Sequence, residues 1–130
     1  MSSNNVVLDA SAILASLLQE PGCERLTDAV MERAVASTVN LAEVQTKLVQ
    51  RGYPPEEAWE DALDQVTAAE PYTAEQAKIP GTLALKTRSL GLSLGDRSCL
   101  ALAIALNAEV YTTERAWKNL KLGVPIHVIR

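Results

Sequence analysis

The sequence predicts an α/β fold, namely a single-domain three-layer α/β/α sandwich with a central, mainly parallel sheet. Strand-like stretches alternate with segments of helical periodicity along the whole chain, a pattern typical of parallel sheets. The 130 residues fit one domain spanning 1–130, which is long enough to bury a core without disulfides. No repeat or low-complexity segment interrupts the alternation.

Five short stretches are predicted to form the strands. They are VVLD (6–9), AVASTV (34–39), AAEPY (68–72), AEVYTT (108–113) and PIHVIR (125–130). In sheets of this kind, ligands bind outside the carboxyl ends of the strands. Residues that directly follow a strand are therefore the first candidates for a functional site.

Helical periodicity fills the segments between the strands. The predicted helices are AILASLLQE, LAEVQTKLVQRG, PPEEAWEDALDQV, AEQAKIPGTLALKTRSLG and GDRSCLALAIALNA. The first stops at Pro21-Gly22 and the second at Gly52, which is a common helix terminator. The fourth is expected to kink or split at Pro80-Gly81 because proline interrupts the helical hydrogen bonds. The last is strongly apolar and is predicted to be buried.

Composition excludes several classes of protein. No apolar run is long enough to cross a membrane, and the N-terminal MSSNN lacks a basic signal-type region, so we expect a cytoplasmic protein. Cys23 and Cys99 are isolated, which argues against a zinc or redox motif; Cys99 is interpreted as a core residue. The single histidine, His127, is a poor basis for a Ser-His-Asp triad. Catalysis is therefore expected to depend on carboxylates, with or without a metal.

The net charge of −4 conceals an asymmetry between the two parts of the chain. Residues 1–75 hold 13 acids and 4 bases, whereas residues 76–130 hold 8 bases and 3 acids. The first part thus carries −9 and the second +5. A basic part can bind an anionic partner, but it can also arise by chance, and charge alone does not decide between the two.

Four acids stand where helices are predicted to begin: Asp9, Glu43, Asp96 and Glu114. Asp9 lies between two apolar elements, where dehydrating a charge is costly. Asp9, Glu43 and Glu114 each follow a strand, so they are expected to meet at one edge of the sheet. Such a cluster should bind a hard cation, Mg²⁺ or Mn²⁺. The metal could supply a hydroxide nucleophile for attack on a phosphodiester.

Each acid also has a purely structural interpretation. Asn40-x-x-Glu43 and Ser93-x-x-Asp96 both match the capping-box pattern. Glu114 suits a helix N-terminus through the helix dipole. Taken singly, capping and metal binding are about equally good explanations of Glu43 and Asp96. The convergence of several acids on one edge favours the metal.

Four bases accompany the acids within about two helical turns: Arg97, Arg115, Lys118 and Lys121. They lie near Asp96 or Glu114 in the sequence. We expect them to hold a phosphate backbone, and ordinary surface charge is the alternative for each.

These residues together resemble a known family. VVLDASAIL, NLAEV, TRSLGLSLGDRSCLALA and VYTTERAW are similar, in this order, to the PIN domain and more closely to VapC-like toxin ribonucleases. The resemblance covers essentially the whole chain, and its most specific stretch is GLSLGDRSCLALA. It implies Mg²⁺- or Mn²⁺-dependent cleavage of single-stranded or loop RNA. It also implies a homodimer and a small cognate VapB-like antitoxin.

The family's motif positions assign roles to individual residues. The implied catalytic set is Asp9, Glu43, Asp96 and Glu114, with Asp9, Asp96 and Glu114 as metal ligands and Ser11, Thr112 and Thr113 in support. The fourth acid departs from the family, which usually has aspartate in a T-x-D pattern where this chain has Thr112-Thr113-Glu114. Glutamate reaches one methylene further, and direct or water-mediated binding both stay open.

Three further functions compete with this one. A phosphatase of the haloacid dehalogenase type needs D-x-D, and Asp9-Ala10-Ser11 lacks the second aspartate. A catalytically inactive PIN-like module that binds RNA or protein is left open by Glu114. A solitary RNA-processing nuclease without an antitoxin is the third.

Overall fold

A single sheet of five parallel strands lies at the centre of the protein. The computed structural model describes residues 4–130, except for the side chains of residues 80–82. The strands are β1 (Val6–Leu8), β2 (Ala34–Ser37), β3 (Ala68–Glu70), β4 (Glu109–Thr112) and β5 (Ile126–Val128). Their order is β3-β2-β1-β4-β5, so β1 is the central strand and β5 an edge strand.

Six α-helices connect the strands within the described residues. They are α1 (Ala10–Leu18), α2 (Asp28–Met31), α3 (Thr38–Gln50), α4 (Pro55–Asp64), α5 (Ala74–Thr87) and α6 (Leu94–Leu106). Short 3-10 helices occupy Cys23–Arg25, Arg88–Leu90 and Arg115–Asn119. Of these, α2 and the first two 3-10 helices are not predicted as separate elements, because such short segments carry little periodicity.

The helices cover both faces of the sheet. Side chains alternate between the two faces of a strand: Val6 and Leu8 belong to the core beneath α1, α3 and α4, whereas Val7 belongs to the core beneath α6. Cys99 is completely buried in this second core, as predicted. The predicted three-layer α/β/α sandwich is confirmed.

One prediction about a helix start is wrong, and a predicted split of a helix is absent. The strand predicted over residues 34–39 ends at Ser37, because the Ser37 hydroxyl accepts a hydrogen bond from the Val39 N–H at 3.2 Å and caps α3. Asn40 is therefore inside the helix, and Asn40-x-x-Glu43 is not a capping box. Helix α5 also continues through Pro80-Gly81 without splitting.

The remaining elements match their predictions to within a few residues. Each predicted strand is present but shorter, because capping residues and turns occupy its ends. Between residues 4 and 130, no helix combines the length and apolar character needed to cross a bilayer. Residues 1–3 of the MSSNN segment lie outside the described residues.

Candidate active site

Asp9 occupies the junction between β1 and α1, and its carboxylate is almost completely buried, with 3% of the residue exposed. Oδ1 accepts hydrogen bonds from the Ala12 N–H at 2.9 Å and from Ser11 Oγ at 2.7 Å. Oδ2 accepts one from Thr112 Oγ1 at 2.6 Å. Three donors therefore compensate for the lost hydration of the charge, and one of them comes from the far end of the chain.

The same hydroxyl groups tie the end of β4 to the start of α1. Ser11 Oγ accepts a hydrogen bond from the Thr113 N–H at 3.0 Å, and Thr112 Oγ1 accepts one from the Glu114 N–H at 3.0 Å. The predicted supporting residues Ser11, Thr112 and Thr113 thus lie together beside Asp9. Parallel pairing of β1 with β4 brings them there.

The environment of Asp9 makes its carboxyl group hard to ionise. Burial raises the pKa of Asp9 from 3.8 to about 6, and the negative charge of Asp96 adds to the increase. The hydrogen bonds from Thr112, Ala12 and Ser11 act in the opposite direction. Burial is the dominant effect, because removing a carboxylate from water disfavours its charged form.

Glu43 lies in the second turn of α3 and is half-buried. The Asn40 amide donates one hydrogen bond to Glu43 Oε1 at 3.1 Å and another to the Gly95 carbonyl at 3.0 Å. Asn40 Oδ1 is buried without a hydrogen-bond partner among the described residues. A Cβ atom at position 95 would overlap the Glu43 carboxylate. The absence of a side chain at Gly95 therefore lets the start of α6 approach Glu43.

Sequence reasoning does not assign Asn40 and Gly95 to the site. The local pattern around Asn40 indicates only a helix cap, and a glycine near the start of a helix is common enough to draw no notice. Their role depends on the contact between α3 and α6, which no local pattern encodes.

Asp96 acts as a capping residue and also contributes charge to the site. The Ser93 N–H donates to Asp96 Oδ2 at 3.0 Å, and the Asp96 N–H donates to Ser93 Oγ at 3.1 Å, which confirms the predicted capping box. The pKa of Glu43 is raised first by burial and then by the negative charge of Asp96. Since Asp96 also raises the pKa of Asp9, the three carboxylates influence one another.

Glu114 is exposed and stands apart from this set. It precedes the 3-10 helix Arg115–Asn119, as the sequence predicted for a helix start, but its side chain makes no capping hydrogen bond. Its backbone N–H is held by Thr112 Oγ1. The structure therefore fixes the backbone of Glu114 close to Asp9 and leaves its carboxylate in solvent.

The donor atoms fit a hard divalent cation that keeps part of its water shell. Within residues 4–130, no three His, Cys, Asp or Glu side chains are grouped closely enough to enclose a metal. Carboxylate and hydroxyl oxygens are, however, the ligands of Mg²⁺ and Mn²⁺, and Mg²⁺ is usually held by one or two carboxylates plus waters. A cation beside Asp9 and Asp96 would relieve their mutual repulsion.

The four predicted RNA-contacting bases divide into two groups. Arg115 and Lys118 are exposed and line a cleft of about 520 Å³ beside β5. Arg97 is half-buried on α6, and its Nε atom is buried without a partner among the described side chains. Lys121 is exposed outside the cleft.

Sequence comparison identifies the family. A family model described as the PIN domain matches residues 6–122, which include all four predicted site acids. This chain belongs to the PIN domain family. A search of curated proteins gives no match. The predicted resemblance to PIN domains is confirmed.

Solved structures extend this result to the fold. VapC20 of Mycobacterium tuberculosis, described as a sarcin-ricin loop cleaving toxin, is 16% identical with a TM-score of 0.73, over 93% of this PIN domain and 99% of that chain. VapBC2 of Rickettsia felis, bound to a DNA fragment from its promoter, is 18% identical with a TM-score of 0.70, over 93% and 96%. FitAcB of Neisseria gonorrhoeae is 15% identical with a TM-score of 0.70, over 94% and 96%. The PIN domain described here therefore shares its fold with these three proteins.

Proposed function

We propose that this PIN-domain protein is a metal-dependent endoribonuclease that cleaves single-stranded or loop RNA, and that it is the toxin of a VapBC-type pair. The observation that carries the proposal is the group of Asp9, Glu43 and Asp96. Asp9 and Asp96 lie at the starts of α1 and α6, and Glu43 lies in the second turn of α3. Burial and, to a smaller extent, the charge of Asp96 raise the pKa of both Asp9 and Glu43. The fold shared with VapC20, described as a sarcin-ricin loop cleaving toxin, supports RNA as the substrate.

In this proposal Asp9 and Asp96, with Glu114 directly or through water, hold Mg²⁺ or Mn²⁺. When bound, the ion would activate water for attack and would neutralise charge on the phosphodiester. Ser11 and Thr112 orient the Asp9 carboxylate through their hydrogen bonds.

Glu43 serves as a proton acceptor in the same proposal. Its Oε1 atom is engaged by the Asn40 amide, which leaves Oε2 to take a proton from the attacking water. Burial and Asp96 raise the pKa of Glu43, and a raised pKa makes a carboxylate a better base. The buried Asn40 amide holds the Glu43 side chain in place for this step.

Cleavage of a structured RNA by the purified protein tests the function. We expect cleavage with Mg²⁺ or Mn²⁺, and its loss on chelation or in Asp9→Asn. Asp64→Asn is a matched control, because Asp64 is an exposed acid at the end of α4. Asp9→Asn protein that is free of contaminating nuclease and cleaves at the wild-type rate would refute the mechanism.

We further propose a VapB-like antitoxin partner, a homodimer, a cytoplasmic location and a single nuclease domain over residues 1–130. The fold shared with VapBC2 and FitAcB supports the antitoxin. Co-purification with the product of a small upstream reading frame, together with the molar mass of each species in solution, tests the first two. A gene without such a neighbour would favour a solitary RNA-processing nuclease.

A second candidate function is an inactive PIN-like module that binds RNA or protein. The observation that favours it is the solvent-exposed position of Glu114, at a site where the family usually has aspartate. RNA binding by wild-type protein without cleavage at any metal concentration would support this module and exclude the nuclease.

A further inference from the structure

The cleft beside β5 concentrates positive charge in an acidic protein. Its charged walls come from three segments: Arg25 from the first 3-10 helix, Arg115 and Lys118 from the last, and Arg130 after β5. Its floor is formed by β5 itself, Ile126–Val128. We call this feature, with these residues, the β5 cleft. Its volume of about 520 Å³ lies within the range of small-ligand sites.

Most of this charge is not neutralised by the protein. Within residues 4–130, Arg25 and Lys118 have no carboxylate within ion-pair distance, and Arg130 has a single distant one, Glu20 at 3.8 Å. Arg115 Nε donates to the backbone oxygen of Arg130 at 3.1 Å, which anchors the guanidinium while its Nη atoms make no hydrogen bond to the described residues. Unpaired cations around a concave surface attract a multiply charged anion.

The histidine in the floor is already engaged. His127 Nε2 lies 2.9 Å from Glu109 Oε1, and its ring stacks on Tyr111 with the ring centroids 4.6 Å apart. Ile126 and Val128 add apolar surface beside it. The β5 cleft thus combines cationic walls with a partly apolar floor, which suits a nucleotide strand carrying both phosphates and sugars or bases.

The β5 cleft adjoins the carboxylate site. Arg115 directly follows Glu114, whose N–H bonds to the Thr112 hydroxyl that in turn bonds to Asp9. One strand, β4, separates β1 from β5, so the β5 backbone lies roughly 10 Å from that of β1 at a strand spacing of about 4.8 Å. A chain whose cleaved phosphate lies at Asp9 would therefore place a neighbouring phosphate in the cleft.

We propose that the β5 cleft is a phosphodiester subsite that binds the RNA backbone on one side of the cleaved bond. This inference rests on the nuclease function proposed above. It adds Arg25 and Arg130 to the predicted RNA-binding residues. Of the four bases predicted earlier, Arg115 and Lys118 line the cleft. The other two, Arg97 and Lys121, do not. An acidic peptide would also suit the charge, but the connection to Asp9 through Glu114 and Thr112 favours the nucleic acid.

Binding of a single-stranded oligoribonucleotide, measured in an Asp9→Asn background that does not cleave, tests the subsite. The double variant Arg25→Gln/Lys118→Gln should bind on the order of tenfold more weakly at low salt, and its salt slope should fall by about 0.7 per lost contact. Arg51→Gln is the matched control, because Arg51 follows α3 about 12 Å along the helix axis from Glu43 and does not line the β5 cleft. Lys118→Arg should bind the oligoribonucleotide as wild type does, because it retains the positive charge at position 118.

Cleavage kinetics of the same changes in the active protein complete the test. The double variant should raise KM and leave kcat unchanged, because the subsite holds substrate away from the reacting bond. The subsite would be overturned if the double variant had the same RNA affinity and salt slope as Arg51→Gln. It would also be overturned if the double variant lost binding of polyglutamate, used as a probe for acidic peptides, but kept its binding of RNA. Failure of the wild-type protein to cleave RNA would instead refute the nuclease function, so the two failures are distinguishable.

Discussion

Thr112 Oγ1 donates a hydrogen bond to Asp9 Oδ2 at 2.6 Å, although the two residues lie 103 positions apart in the chain. The Thr112 hydroxyl has one proton, which goes to Asp9, and it uses a lone pair to accept the Glu114 N–H at 3.0 Å. The charge of Asp9 is therefore coupled to the conformation of the chain just after β4.

Thr112→Val should move the acid limb of activity to higher pH. Valine keeps the shape of threonine but removes the donor that favours the charged form of Asp9, so the pKa of Asp9 should rise above its value of about 6. The pH dependence of kcat/KM measures the change. Thr46→Val is the control, because Thr46 is exposed and its hydroxyl bonds only to the Ala42 carbonyl within α3. An acid limb that does not move would show that this hydrogen bond does not tune Asp9.

Asp9 should make the metal-free protein less stable as the pH rises. Its folded pKa of about 6 exceeds the unfolded value of 3.8, so its contribution is fully present below pH 3.8 and is lost as the pH rises through 6. At about 1.4 kcal/mol per pKa unit, the loss is on the order of 3 kcal/mol. Urea unfolding of wild type and Asp9→Asn in chelator, across this window, measures it as the difference between the two curves. If the unfolding free energies of the two proteins changed with pH in parallel, the raised pKa of Asp9 would be contradicted.

Ser93→Ala and Asp96→Ala should separate the two roles of Asp96. Both remove the capping box and cost on the order of 0.5–2 kcal/mol, but Asp96→Ala also relieves repulsion with Asp9 and Glu43. In chelator, Asp96→Ala should therefore be the more stable variant. Added Mg²⁺ or Mn²⁺ should stabilise Ser93→Ala and wild type alike, and Asp96→Ala much less. If added metal raised the melting temperature of all three proteins equally, Asp96 would act only as a helix cap.

Gly95→Ala should impair activity more than stability. The new Cβ would overlap the Glu43 carboxylate and displace it from Asn40, while alanine itself favours a helix by about 0.5–1 kcal/mol over glycine. We expect at least a tenfold loss of kcat, on the order of 1.4 kcal/mol. In a Glu43→Ala background, Gly95→Ala should stabilise the protein without further loss of activity. Additive losses in the double variant would contradict this coupling.

Glu114 should tolerate a shorter carboxylate but not an amide. If Glu114 binds the metal directly or through water, Glu114→Asp retains measurable activity because it restores the family's usual residue, and Glu114→Gln loses most of it. Cleavage rates over a range of metal concentrations test this. Rates near wild type for both variants would reduce Glu114 to a surface charge.

Much of the fold and part of the site could be predicted from the sequence. The position of each strand along the chain could be predicted, because the alternation of strands with helices depends on local periodicity and on nearby turn residues. Asp9 could be assigned to the junction of β1 and α1, and Ser93 with Asp96 to a capping box, because both depend on residues that are close in the sequence.

Only the tertiary structure decided which distant groups meet. Pairing of β1 with β4 brings Thr112 to Asp9, and contact between α3 and α6 brings Gly95 to Glu43. The same packing leaves the Glu114 side chain in solvent and gathers Arg25 and Arg130 into one cleft. Local patterns record the conformation of each segment, whereas the pKa of a carboxylate depends on burial and on neighbouring charges. Those neighbours are set by how the segments pack, which is why the sequence alone could propose the acids but not their environment.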